Sequence, residues 1–242
     1  MFTIFKKEIR SFLSSLIAYI VITVFLTAIG LFMWVFPATN ILDYGFADME
    51  TLFMLGPYVF LFLIPAITMR TFAEEKKSGT MELLLTRPLR DWDIILGKYF
   101  SSFALVIFAL IPTILYYYSV YQLGNPQGNI DSAGTFGSYI GLVLLGAVFT
   151  SIGIFASSLT ENQIIAFIFA IFLCFSIYQG FASLASVNDT SNFSYIIVQL
   201  GIDYHYNSIR KGLIDSRNLV YFLSVIGLML FATKLVLSSR KW

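Results

Sequence analysis

Long charge-free apolar runs limit what this chain can become. No charged residue occurs from Ser11 to Leu42, and the runs Thr51–Met69, Tyr99–Ser119, Gly137–Leu159 and Ile164–Ala185 are equally free of charge. A sixth, Asn218–Leu237, holds only Lys234, close enough to its end for the ammonium to reach the interface. A helix needs roughly 20 apolar residues to cross about 30 Å of hydrocarbon. The runs are continuous rather than alternating, so each must close its own backbone hydrogen bonds as a helix and not as a barrel strand. With 58% hydrophobic and 12% charged residues in 242, too few charges remain to solvate a globular surface. Composition therefore excludes a soluble enzyme and a disordered chain, and a net charge of +1 excludes a nucleic-acid binder. One cysteine, Cys174, forbids an internal disulfide framework, and one histidine, His205, leaves little for a histidine-rich metal site.

The predicted fold is an all-α integral membrane protein, a single transmembrane domain over residues 1–242. Its six spans lie near 16–36, 51–69, 99–119, 137–159, 164–185 and 218–237. Apolar residues of Phe2–Leu13 recur at helical spacing against Lys6, Lys7 and Arg10, which predicts an interfacial helix over 1–14. The run that follows is too long for a signal-peptide core and is expected to be retained. With the N-terminus in the cytoplasm, 12 of the 15 Lys and Arg residues fall on inside segments, so both termini are expected inside. The segment 186–217 carries the other three and fits the rule poorly. It is read as external, either partly helical or an irregular loop, with Phe193, Tyr195, Tyr204 and Tyr206 resting on the outer interface.

No Asp, Glu, Arg or His lies in the middle of a predicted span, which argues against ion coupling within the chain. A phosphate-binding loop, Gly-x-Ser-x-Gly and His-Glu-x-x-His are all missing, so neither nucleotide hydrolysis nor intramembrane proteolysis is expected. Span four carries Gly137, Gly141, Gly146 and Gly153, whose small size suits close helix packing, or else a dimer or pore-lining face.

The segment 70–98 holds 11 of the chain's 29 charges. Gly79 can turn the chain there, Thr80 can cap a short helix, and Glu82 suits its first turn. Pro88 stops it. The result is a short helix, apolar along Met81, Leu84 and Leu85, beneath the membrane between two turns. Such a stripe serves either to dock in a partner's groove or to pack on the bundle's own inner surface.

Glu75-x3-Gly79-Thr80-x-Glu82-x-Leu84-Leu85-x2-Pro88, followed by Ile94-x2-Gly97-Lys98, resembles the coupling-helix region of ABC-2-type export permeases. The six-span layout, the interfacial helix and the outer segment before span six resemble that family too. Lys7-Glu8-Ile9-x-Ser11-Phe12, Phe60–Arg70 and Ser157–Gln163 are similar to the gliding-motility-associated permease subunit of gliding bacteria. The resemblance implies a permease of the bacterial inner membrane with no cofactor of its own, probing no nucleic acid and working with a cytoplasmic ABC ATPase dimer that uses ATP with Mg. A second permease copy or related membrane subunit is implied as well. Carried over, Glu75 opens the coupling motif, Gly79 and Thr80 form the turn, Glu82 orients the helix, Leu84 and Leu85 dock, and Pro88 ends it. The turn with Thr160, Glu161 and Asn162 becomes either a secondary contact or a plain helical turn. The competing expectation is a non-transporting membrane anchor of a motility or secretion machine.

Overall fold

The computed structural model describes every residue except 44, 82–89, 187–191, 214 and 240–242, together with the side chains of 17, 192 and 193. The described residues contain helices and no strand. Helix α1 (Phe2–Leu13) meets α2 (Leu16–Trp34) at a bend of 68°. Then come α3 (Glu50–Thr68), α4 (Arg70–Lys77), α5 (Asp91–Leu110), α6 (Thr113–Leu123), α7 (Ser132–Leu159) and α8 (Gln163–Phe175). One π-helical turn, Ser176–Gly180, joins α8 to α9 (Phe181–Ser186). Two short helices, α10 (Asn192–Leu200) and α11 (Ile202–Arg210), precede α12 (Ser216–Ser238). Among the described residues five helical stretches are long and apolar enough to cross a membrane, and up to six if the bent α1–α2 pair counts as one span.

Local chemistry accounts for several ends. Asp131 accepts from Gly134 N, Asn162 from Ile164 N and Asp215 from Arg217 N, so α7, α8 and α12 each begin on a side-chain cap. Between α5 and α6 the ladder breaks at Ile111–Pro112, because proline has no N–H to offer.

Helix α7 is the hub. It packs against α3, α4, α5, α8, α11 and α12, and 78% of its apolar stretch is buried, against 22% for Gln163–Ser186 and 22% for α12. Its core partners include Phe60, Ile64 and Val106, which surround Leu145, Val148 and Phe149. Cys174 is fully buried in the same core. A second, smaller cluster closes the end that carries α1, joining Ile4, Phe72, Met81, Ile94, Ile95, Tyr99, Ile154, Leu230 and Leu237.

At the other end α11 folds back onto α7 through Ile202, Tyr206 and Ile209, one helical face. This corrects the expectation for Tyr206. It is 1% exposed, and its hydroxyl donates to Phe53 O at 2.6 Å, so a polar tip that would favour the interface finds its partner inside. Tyr195 and Tyr204 remain exposed, and the side chain of Phe193 lies outside the described set. Burial pushes the Asp203 carboxyl on α11 above its ordinary value, against hydrogen bonds from Tyr178 and Asn207 and the charge of Arg210, which pull it down.

Candidate functional site

The site begins with a break in a helix. Helix α3 ends at Thr68, and its continuation α4 starts at Arg70. Ser157 of α7 fills the gap. Its Oγ accepts from Phe72 N at 3.0 Å and Ala73 N at 3.1 Å while donating to Met69 O at 2.9 Å. One inserted hydroxyl thus satisfies three backbone groups at the break, where a side chain enters the helical ladder. Replacing Ser157 with Ala should leave two buried N–H groups unpaired and cost about 1–3 kcal/mol. A thermal-stability series in detergent reads this, and an unchanged midpoint would mean the hydroxyl does not stabilise the break.

Past the break, α4 lies beside α1 and α5. There Lys98, at the start of α5 and 1% exposed, donates to Glu8 Oε1 at 3.0 Å and to Thr71 O at 2.6 Å. Its ammonium also sits 2.9 Å from Glu75 Oε2 as an ion pair and 5.1 Å from the centre of the Phe72 ring. Lys7 completes the group, donating to Glu75 Oε1 at 2.8 Å and lying 3.5 Å from Glu8. Two cations and two carboxylates therefore alternate, and this pairing is what permits Lys98, Glu8 and Glu75 to be buried while Lys7 stays exposed. The square ties α1 (Lys7, Glu8), α4 (Glu75) and α5 (Lys98) together. Arg70 adds a bond to Glu74 at 2.9 Å and one to Ser15 at 2.9 Å, and Lys76 donates to Ser158 O.

Close approach of α1 to α5 depends on Gly97, where a Cβ would sit 2.9 Å from Ile4 Cβ. Beyond α4, Gly79 adopts φ +69°, the left-handed conformation glycine accepts without penalty, and Gly79 N donates to Lys76 O at 3.1 Å. Thr80 Oγ1 lies 2.8 Å from Ser78 Oγ. Met81 is buried in the smaller cluster, so this part of the apolar stripe faces the bundle. Glu82, Leu84, Leu85 and Pro88 lie outside the described residues.

The Thr160–Asn162 turn lies at the same end, linked to α4 through the Lys76–Ser158 bond. Thr160 Oγ1 accepts from Asn162 N, Asn162 caps α8, and Glu161 is exposed. The four α7 glycines meet different partners. A Cβ on Gly137 would come 3.1 Å from Gly212 Cα, on Gly141 2.9 Å from Ile209, and on Gly146 2.9 Å from Val106. On Gly153 it would overlap the Thr68 hydroxyl.

Sequence reasoning placed Lys98 and Glu8 in two separate motifs and paired neither with the other. Position 8 held a signal, since Ile4, Glu8 and Phe12 share one face of α1, and an acid on an apolar face calls for a buried cation. Nothing in the sequence pointed to Ser157 as the filler of a helix break.

Residues 38–239 match the family described as ABC-2 family transporter protein. The chain belongs to that family. A search of curated proteins found no match to it. As an ABC-2 protein it is a multi-pass membrane permease subunit of an ABC transporter, the component of such a system that lacks the ATPase motifs. The match takes in Glu75, Lys98 and Ser157 but begins after α2, leaving Lys7 and Glu8 outside it. Among the described residues no group of three or more His, Cys, Asp or Glu side chains is placed to hold a metal ion.

Proposed function

We propose that this chain is the permease of an exporter driven by a separate cytoplasmic ABC ATPase dimer, which binds and hydrolyses ATP with Mg. In this reading the α1 end faces the cytoplasm of the bacterial inner membrane, both termini lie inside, and a second permease copy or related membrane subunit completes the path. The segment after α4 docks on the ATPase. Gly79 and Thr80 turn the chain, Glu82 orients the docking helix, Leu84 and Leu85 contact the ATPase, and Pro88 ends the helix. The Thr160–Asn162 turn makes the secondary contact. Similarity of the N-terminal and α7–α8 motifs to the gliding-motility permease supports export in motility or secretion.

The observation that carries this reading is the charge square. It clamps Glu75 on α4, which precedes the docking segment, to Lys98 on α5, which follows it, and both to α1. A push on the segment then moves three helices as a body instead of being absorbed by a loose loop. The test is a mild-detergent pull-down from native membranes with mass spectrometry of the recovered proteins. An ABC ATPase should come with the intact chain and be lost with Glu82→Lys or Leu84→Asp while the permease stays membrane-inserted. Unchanged association with both substitutions would sink the docking assignment. Function surviving a hydrolysis-dead ATPase would replace transport with a membrane-anchor role.

A further inference from the structure

At the end opposite α1, two neighbouring cavities lie on either side of Thr135 of helix α7. One face of its first turns, Asp131, Gly134, Thr135 and Ser138, borders a polar pocket of about 380 Å³. The adjacent face, Ser132, Thr135, Phe136, Tyr139 and Val143, borders a groove of about 420 Å³ whose far wall is Ile107, Leu110, Ile111 and Ile114. Thr135 lines both. Polarity changes in one direction from the groove to the pocket. The groove is apolar at Ile107 and Val143 and carries the hydroxyls of Tyr117 and Ser132, 2.7 Å apart, at its other end. Charges come only beyond Thr135. Ile114 and Phe136 are well exposed, so the groove opens sideways from the bundle.

The polar pocket holds two cations, Arg210 and Lys211, and three carboxylates, Asp48, Glu50 and Asp131. Arg210 is only 3.8 Å from Glu50, a long pair that leaves guanidinium donors to spare. Asp48 and Asp131 each lend an oxygen to a backbone N–H, of Glu50 and Gly134, and keep further acceptor sites.

We propose that the two cavities together hold one resident bilayer lipid laid across Thr135, a diacyl lipid with a phosphoethanolamine headgroup. Phosphate lies against Arg210 and Lys211, the primary ammonium among Asp131, Glu50 and Asp48, the ester region at the tyrosine and serine hydroxyls, and one acyl chain along the groove. Three carboxylates repel a headgroup with net negative charge. A quaternary ammonium has no N–H to give them and favours an aromatic cage, whereas Phe53 is the single aromatic among the described lining residues of the pocket. The inference is independent of ATPase coupling.

The test is native mass spectrometry of the full chain, delipidated in detergent and then offered equimolar dioleoyl phosphatidylethanolamine, phosphatidylcholine and phosphatidylglycerol. The ethanolamine lipid should dominate the bound species. Lys211→Glu, at an exposed position, should lower its retention roughly tenfold by removing a charge-assisted contact. Thr135→Trp should do the same by blocking the junction without changing charge, and unchanged elution profiles show that both variants fold. Equal retention of the three lipids, no retention by the unaltered chain, or retention unaffected by both substitutions would each overturn the proposal.

Discussion

Replacing Lys98 with Met is expected to destabilise the protein by about 3–5 kcal/mol, the cost of removing one partner from a buried ion pair. The ammonium has three donors and three acceptors around it: Glu8, Glu75 and Thr71 O. Without it, Glu8 and Glu75, whose side chains are 11% and 13% exposed, face each other with only Lys7 between them. Fluorescence-detected size-exclusion after heating reads the effect as a lowered midpoint. Lys98→Arg should rescue poorly, because a planar guanidinium does not reproduce a single nitrogen hydrogen-bonded to Glu8 and Thr71 and ion-paired with Glu75. The triple variant Lys98→Met, Glu8→Gln, Glu75→Gln should recover much of the loss, since it removes the stranded charges along with their partner. A single variant with an unshifted midpoint would mean the square contributes nothing to the fold.

The second large effect is at Gly153. A Cβ there meets Thr68 on α3, and the Thr68 hydroxyl is already held by Ile64 O at 2.9 Å, so it cannot turn aside freely. Gly153→Ala should cost about 1–3 kcal/mol through overpacking, and Gly153→Leu more, because α3 and α7 must separate. Thr68→Gly in the same chain should restore part of the loss. Gly227 on α12 is the control. No atom lies within 4 Å of a Cβ placed there, so Gly227→Ala should be neutral or should stabilise the helix by up to about 1 kcal/mol. If Gly153→Ala behaves like Gly227→Ala, the close crossing of α3 and α7 is not what the glycine provides.

How far the sequence could be read depended on the range of each interaction. The helices of the bundle follow from apolar runs, a property of neighbouring residues. The turn glycine at 79 is equally local, and its positive φ fits the residue. The square is not local. Lys98 and Glu8 are 90 positions apart, and their bond depends on a crossing of α1 and α5 that Gly97 permits and no pattern announces. Ser157 was harder still, because its partners are backbone groups of another helix, which every residue carries. Tyr206 misled for a related reason. An aromatic hydroxyl in an outer segment suits the interface as well as the core, and only the carbonyl of Phe53 decides between them.

The buried thiol has a practical consequence. Cys174 is the sole cysteine of the chain, and in the fully packed core it is shielded from reagents. The native sequence is therefore already a background for attaching one probe at a time. Leu228 on α12 and Phe172 on α8 are 63% and 62% exposed, so a cysteine introduced at either can carry a spin label without disturbing the hub. Paired labels on these two peripheral helices would report their separation directly, with and without a bound ATPase.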